Sequence, residues 1–367
     1  MRTVVLVLFS LMLTYSTLYG QFHTLKIPQA SNYVVEMQRL AVTDITVTYH
    51  SPTVRDRDVW NDPGIIPQNG DPIAWRAGAN MNTTIEFSTD VLIEGQPLAA
   101  GVYGFHVIPH DDQFRLLFAH NSQQWGSYYL DVDQDVSLQV EVNAVDCAFS
   151  EKLDYEFYPV SENEMILGLE WADKRIPFSV SVDLEKTVLA SFRKELRGIN
   201  TYRWEAWNDA ANWCLNHDTN LEEALEWAER SINGGYYGFA ANKNSTNLTT
   251  KARLNHKLGQ DEALELTIGE VQNIEYTAYE ANSFSRFLLD IEQYKQAKSF
   301  CETALEKFPN TWFIQLNLGI SDYFLGDTAS ALLTIKDAKV VAPERFHNRI
   351  EEIVEEMTNG EYKLPGR

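Results

Sequence analysis

A 34-residue period in the second half constrains this chain more than any other feature. Ala263, Ala297 and Ala331 are spaced 34 apart, as are Ala304 and Ala338, and Pro309 and Pro343. That length fits a helical hairpin stacked in series, with small residues where helices touch and a proline near the repeat end. Each hairpin buries its apolar face only against a neighbour, so the array folds as one solenoid. Such arrays are scaffolds that seldom do chemistry.

The hairpins can be laid out from this register. A connecting helix over 186–200 places Leu189, Phe192, Leu196 and Ile199 near helical spacing. The first hairpin pairs 202–216 with 221–233, preceded by the Asp218-Thr219-Asn220 cap cluster. Ala224 to Ala263 is 39 residues rather than 34, which implies a five-residue insertion at Gly234-Gly235-Tyr236-Tyr237-Gly238. Further hairpins are expected over 243–258 with 261–273, 278–290 with 293–308, and 311–325 with 328–341, then a capping helix around 345–357. Gly259 and Gly326 fall at equivalent helix ends, where glycine is the usual terminator. The segment resembles tetratricopeptide repeats, clearly over 278–344 and more weakly over 201–275.

Composition supports folded domains, with 44% apolar and 12% aromatic residues in 367. The net charge is −22, and both halves are acidic. Residues 21–190 carry 10 Lys/Arg against 25 Asp/Glu, and 191–367 carry 19 against 27. Phosphate binding needs clustered Lys/Arg, so nucleic acid is not an expected partner. Residues 1–20 read as a secretory signal: Arg2, an apolar run over 4–13, then Gly20 before Gln21. That run is short for a membrane-spanning helix, and no later stretch could span a bilayer. A periplasmic or extracellular location is therefore expected. Three cysteines, Cys147, Cys214 and Cys301, cannot form a paired framework and read as buried free thiols.

From about 40 to 183 the period is two. Ile45, Val47 and Tyr49 share one face, with Thr46, Thr48 and His50 on the other; Val136, Leu138, Val140 and Val142 alternate with polar residues. Further runs lie at 83–87, 102–108, 114–118, 153–158, 165–171 and 178–182, separated by turn signals. Eight or more short strands predict an antiparallel β-sandwich, and a barrel fits the same pattern. The expected organisation is a signal over 1–20, a β domain over 21–185, the connecting helix, and helical repeats over 201–367. Residues 21–38 and 358–367 are expected to be loosely held chain ends.

Several phrases here resemble the bacterial secreted family called domain of unknown function 2911. They are Tyr49-His50-Ser51-Pro52 with Arg55 and Arg57, Trp75-Arg76-Ala77-Gly78-Ala79-Asn80, Thr83-Thr84-Ile85-Glu86-Phe87, Leu98-Ala99-Ala100-Gly101-Val102-Tyr103-Gly104, Trp125-Gly126-Ser127-Tyr128, and Trp171 with Ile176-Pro177-Phe178. The resemblance covers about 40–183 and implies an exported β-rich domain, without an activity. This chain has Ala77 where the family phrase carries Thr.

Trp75, Arg76 and Asn80 surround Gly78, which can supply positive φ or close backbone approach. With His50, Arg55, Trp125 and Tyr128 they could line a pocket, Trp75 stacking on a sugar or aliphatic group and Arg76 clamping an anion. The same residues also suit a structural role. Arg76 would tie loop carbonyls or Glu86, Trp75 would plug the sandwich end, and Asn80 would fix a turn.

No GxSxG, P-loop, HExxH or GxGxxG motif occurs. Asp131-Val132-Asp133-Gln134-Asp135 starts like a calcium loop, but Val136 replaces the required Gly and Val142 the final Glu. His106 and His110 are about 13 Å apart in a strand, too far for one zinc unless Pro109 bends the chain. No metal or cofactor is therefore expected. The leading expectation is a non-enzymatic protein whose repeats dock an envelope or secreted protein. The second is a β domain binding a small anionic or sugar ligand. The third is an unrecognised hydrolase using His50, His106 or the carboxylates.

Overall fold

The computed structural model describes residues 28–110 and 113–364. The segment read as an export signal lies outside them. The chain divides into two compact units between Thr187 and Val188. No helix among the described residues is long and apolar enough to cross a membrane.

The first unit is an antiparallel β domain of two separate sheets, and they do not close into a barrel. One sheet has six strands in the order β1 (Asn32–Leu40), β2 (Thr43–Ser51), β3 (Thr83–Phe87), β6 (Gly101–His110), β7 (Gln113–Ala119) and β8 (Val136–Asn143). The other has four, in the order β5 (Gln96–Leu98), β4 (Val91–Ile93), β10 (Glu164–Ser181) and β9 (Val145–Pro159). The inward faces of both sheets share one core, in which Ile45, Val47, Tyr49, Phe105, Phe118, Trp171 and Phe178 are buried. Alternation in β2 runs as its sequence predicts, each second residue buried.

Two segments depart from the sequence reading. The supposed loose N-terminus holds β1, an edge strand paired along nine residues with β2. Its apolar Tyr33, Val35 and Met37 are exposed, while Glu36 points inward to accept a hydrogen bond from the Tyr49 hydroxyl at 2.8 Å. The runs at 165–171 and 178–182 belong to one long strand, β10. Its pairing with β9 shifts register on either side of Ala172, which has φ 51°. The acidic 131–135 stretch forms one helical turn, Val132–Asp135, whose backbone N–H groups at 133 and 134 donate to the Asp131 side chain.

The second unit is a series of helical hairpins. After α1 (Leu184–Glu195) come α2 (Trp204–Asn216) with α3 (Leu221–Asn233), α4 (Ser245–Lys257) with α5 (Asp261–Gln272), α6 (Ala278–Asp290) with α7 (Tyr294–Lys307), and α8 (Trp312–Phe324) with α9 (Thr328–Val341). The array ends on α10 (His347–Asn359). The last two hairpins start 34 residues apart, at 278 and 312 and at 294 and 328, so the sequence period is the structural repeat. Ala297, Ala304, Ala331 and Ala338 are all fully buried. Gly259 and Gly326 end α4 and α8 with φ 67° and 91°, the left-handed geometry that favours glycine. Residues 358–364 are not loose either: Tyr362 and Leu364 are buried in the helical core.

Candidate functional site

Trp75 reaches its position through a bridge to β6, exchanging backbone hydrogen bonds with Val107 at 2.8 Å in both directions. That pairing sends its ring into the core, where it is 4% exposed and stacks on Trp171 at 5.9 Å and 12°. Trp60 meets both rings edge-on, at 5.9 and 6.3 Å, and donates its indole N–H to the Trp171 carbonyl at 3.0 Å.

Side chains alternate, so Arg76 leaves by the opposite face. Its Nη1 donates to the Asn80 carbonyl at 2.5 Å, and its guanidinium lies 5.7 Å over the Tyr128 ring. It also lies flat against Gly126, where a Cβ would sit 2.6 Å from Arg76 Cζ. Gly78 serves by close approach, since its φ is unexceptional and a Cβ there would meet Thr83 Oγ1 at 2.8 Å. The positive φ values in this loop belong to Ala77 and Asn80, at 52° and 61°. Ala77 acts through its carbonyl, which accepts from the hydroxyls of Thr83 and Tyr155, both at 2.9 Å.

Together these residues border a cleft of about 390 Å³. Trp75, Arg76, Asn80 and Tyr128 line it, joined by Arg57 and Trp171. The other expected residues lie elsewhere. His50 packs edge-on against Tyr33 at 5.4 Å, and burial holds its imidazole below the usual histidine range. Arg55 takes φ 51°, donates its backbone N–H to Glu151 and its Nε to the Thr53 hydroxyl. Trp125 sits half-exposed in the 121–130 loop and does not border the cleft. Arg57 could have been found from the family phrase that contains it, and the rim from Pro52, Pro63, Pro67 and Pro72 crowded into one stretch.

His106 and His110 lie on one strand and face different surroundings. His106 is fully buried, its Nδ1 2.7 Å from Ser127 Oγ, and Nε2 has no partner. Burial first, then the nearby Arg76 charge, push its pKa down to about 4, so it is neutral at physiological pH. A Ser–His pair is a hydrolase's nucleophile and base when substrate can reach it. Here Ser127 is as buried as His106, and the pair buttresses the loop that covers Arg76. His110 is exposed, with Nδ1 2.5 Å from Asn69 Oδ1. Among the described residues, no three His, Cys, Asp or Glu side chains are grouped to hold a metal ion.

On the helical unit, equivalent residues of successive hairpins meet. Thr246 donates to Glu280 at 3.0 Å, 34 residues on, and Tyr279 stacks on Phe313 at 5.4 Å and 20°, again 34 on. Asn317 donates to the side chains of Asn282 and Ser285 at 3.0 and 2.8 Å. Tyr279 is 77% exposed. A second aromatic group surrounds the insertion: Tyr202 on Phe239 at 4.9 Å, Phe239 near Tyr237 at 6.0 Å, and Tyr237 near Tyr236 at 5.0 Å.

A search of curated proteins finds no match to this chain. Solved structures similar to it include the MamA RS-1 ArsTM double mutant, 16% identical over 43% of this chain and 95% of that one, with a TM-score of 0.30. MamA 41-end from Desulfovibrio magneticus RS-1 is 15% identical over 44% and 97%, at 0.29. YrrB, titled a TPR protein with an unusual peptide-binding site, is 15% identical over 44% and 97%, at 0.26. The β domain, residues 31–180, matches the sequence model of the family described as "Protein of unknown function (DUF2911)".

Proposed function

We propose that this chain is an exported, non-enzymatic binding protein whose helical repeats dock an envelope or secreted protein. The observation that carries the reading is the 34-residue repeat of the hairpins, which brings the first helices α4, α6 and α8 into a continuous ladder. A solenoid of this kind presents an extended surface rather than a reaction centre. Its exposed aromatic residues, Tyr279 beside Phe313 and the Tyr202, Tyr236, Tyr237 and Phe239 group, are of the type that anchors protein interfaces. Export rests on the sequence of residues 1–20 alone.

The test is a photoreactive amino acid at position 279 of the full-length chain, activated in the native host. A discrete protein adduct, absent when the same group replaces buried Leu288, is the expected result. No adduct at 279, 202 or 237 would sink the proposal.

A further inference from the structure

We propose that the β-domain cleft binds a small molecule that carries an oxyanion, a carboxylate or phosphate, on a flat apolar body. The inference is independent of the role assigned to the helical repeats.

Charge is the first argument. The stretch 21–190 has only 10 Lys/Arg against 25 Asp/Glu, yet two of the arginines, Arg57 and Arg76, line this one cleft and no Asp or Glu does. Elsewhere in the domain Arg39, Arg115 and Arg175 each pair with a carboxylate. Among the described residues neither cleft arginine does. Arg57 donates to the carbonyls of Val54 and Thr53 at 2.9 and 2.6 Å, and Arg76 to that of Asn80. These carbonyls fix the guanidinium groups without neutralising them. A guanidinium has five N–H donors, so each keeps several for an incoming oxygen pair. The nearby acidic residues Asp58 and Asp62 are turned to their own loop, accepting from Asn61 and from the Gly64 N–H.

Shape is the second. A volume of about 390 Å³ falls within the range of small-molecule sites. The cleft is stiff: its floor rests on the core-buried stack of Trp75 on Trp171, and the exposed Tyr128 ring beside the Arg76 guanidinium and a rim of prolines complete it. Trp171 also has a buried indole N–H with no acceptor. Arg76 is pre-positioned between Gly126 and Tyr128, so little side-chain entropy is lost when it clamps a ligand.

Isothermal titration calorimetry on the full-length protein at low salt tests the idea, with phenyl phosphate and benzoate as oxyanion probes and phenyl β-glucoside as the neutral one. We expect one-site saturation by at least one oxyanion; which of the two saturates identifies the headgroup. Arg76→Gln and Arg57→Gln should each weaken it about tenfold or more, the scale of charge-assisted hydrogen bonds. Arg57 is exposed and bonds only to carbonyls of its own loop, so Arg57→Gln keeps the domain folded should Arg76→Gln not. Absence of saturation by both oxyanions at millimolar concentration would overturn the proposal. So would unchanged affinity in folded Arg57→Gln, or tighter binding of the glucoside.

Discussion

Gly319 sits inside α8 where that helix meets α9, and replacing it sets two effects of opposite sign against each other. Alanine is favoured over glycine in a helix interior by about 1 kcal/mol. At 319, however, the new Cβ would lie 2.5 Å from Ile335 Cγ1 and 3.1 Å from the Ala331 carbonyl oxygen. Carbon atoms rest about 3.5–4.0 Å apart, so the overlap with Ile335 is about 1 Å. Ile335 is fully buried and the other neighbour is backbone, so neither yields cheaply. Overpacking of this kind costs about 1–3 kcal/mol, so after the helix-propensity gain we expect Gly319→Ala to lose up to about 2 kcal/mol net. Gly269 in α5 is the control, because a Cβ there meets nothing within 4 Å. Gly269→Ala should therefore gain about 1 kcal/mol. Urea unfolding of the full chain, followed by helix circular dichroism at 222 nm, measures both. In an Ile335→Ala background the Gly319→Ala penalty should shrink by about 1 kcal/mol or more, as expected for contacting residues. Gly319→Ala as stable as Gly269→Ala would refute helix crossing as the reason for that glycine.

Other perturbations reach different parts of the molecule. Gly126→Ala should destabilise the β domain by about 1–3 kcal/mol, since φ is 63° and the methyl would displace Arg76; thermal melting of the variant checks this. His106 carries a pKa lowered to about 4 from 6.5, mainly by burial, so the unfolded chain binds a proton that the folded chain refuses. Its contribution is intact above pH 6.5 and is lost as pH falls toward 4, with about 2 kcal/mol gone by pH 5. His106→Asn should flatten the stability profile between pH 7 and 5, and an unchanged slope would contradict the assignment. Burial pushes the Cys214 and Cys301 thiols up to about 11 and about 12, so mass spectrometry after native iodoacetamide treatment should find Cys147 modified well before either.

How much of this was legible in the sequence follows from how each segment is stabilised. The helical array was readable because its contacts repeat. Ala297 and Ala331 do the same job 34 residues apart, and Gly326 ends a helix where Gly259 does. Most strands were readable because one face is wet and the other dry, as in β2. Strand β1 was not, because its burial runs against its hydrophobicity: Met37 faces out, and Glu36 faces in because Tyr49 offers it a hydroxyl. Strand β10 looked like two because Asp173-Lys174-Arg175 interrupts its apolar run at the Ala172 irregularity. The cleft was half legible. Trp75, Arg76 and Asn80 are neighbours in sequence, and Tyr128 follows from the family phrase. Trp171 comes from the opposite sheet, and no local pattern announces that it stacks on Trp75. His50 and Arg55 were misleading for a local reason: each is near the cleft in sequence but turned from it, His50 by strand alternation and Arg55 by its positive φ.

The most direct test of the helical array as the docking element is crosslinking in the native host, comparing the full chain with one ending at Thr187. We predict that the partner captured by the full chain is lost when the repeats are removed. Retention of the same partner by the shortened chain would place the docking surface in the β domain and contradict it.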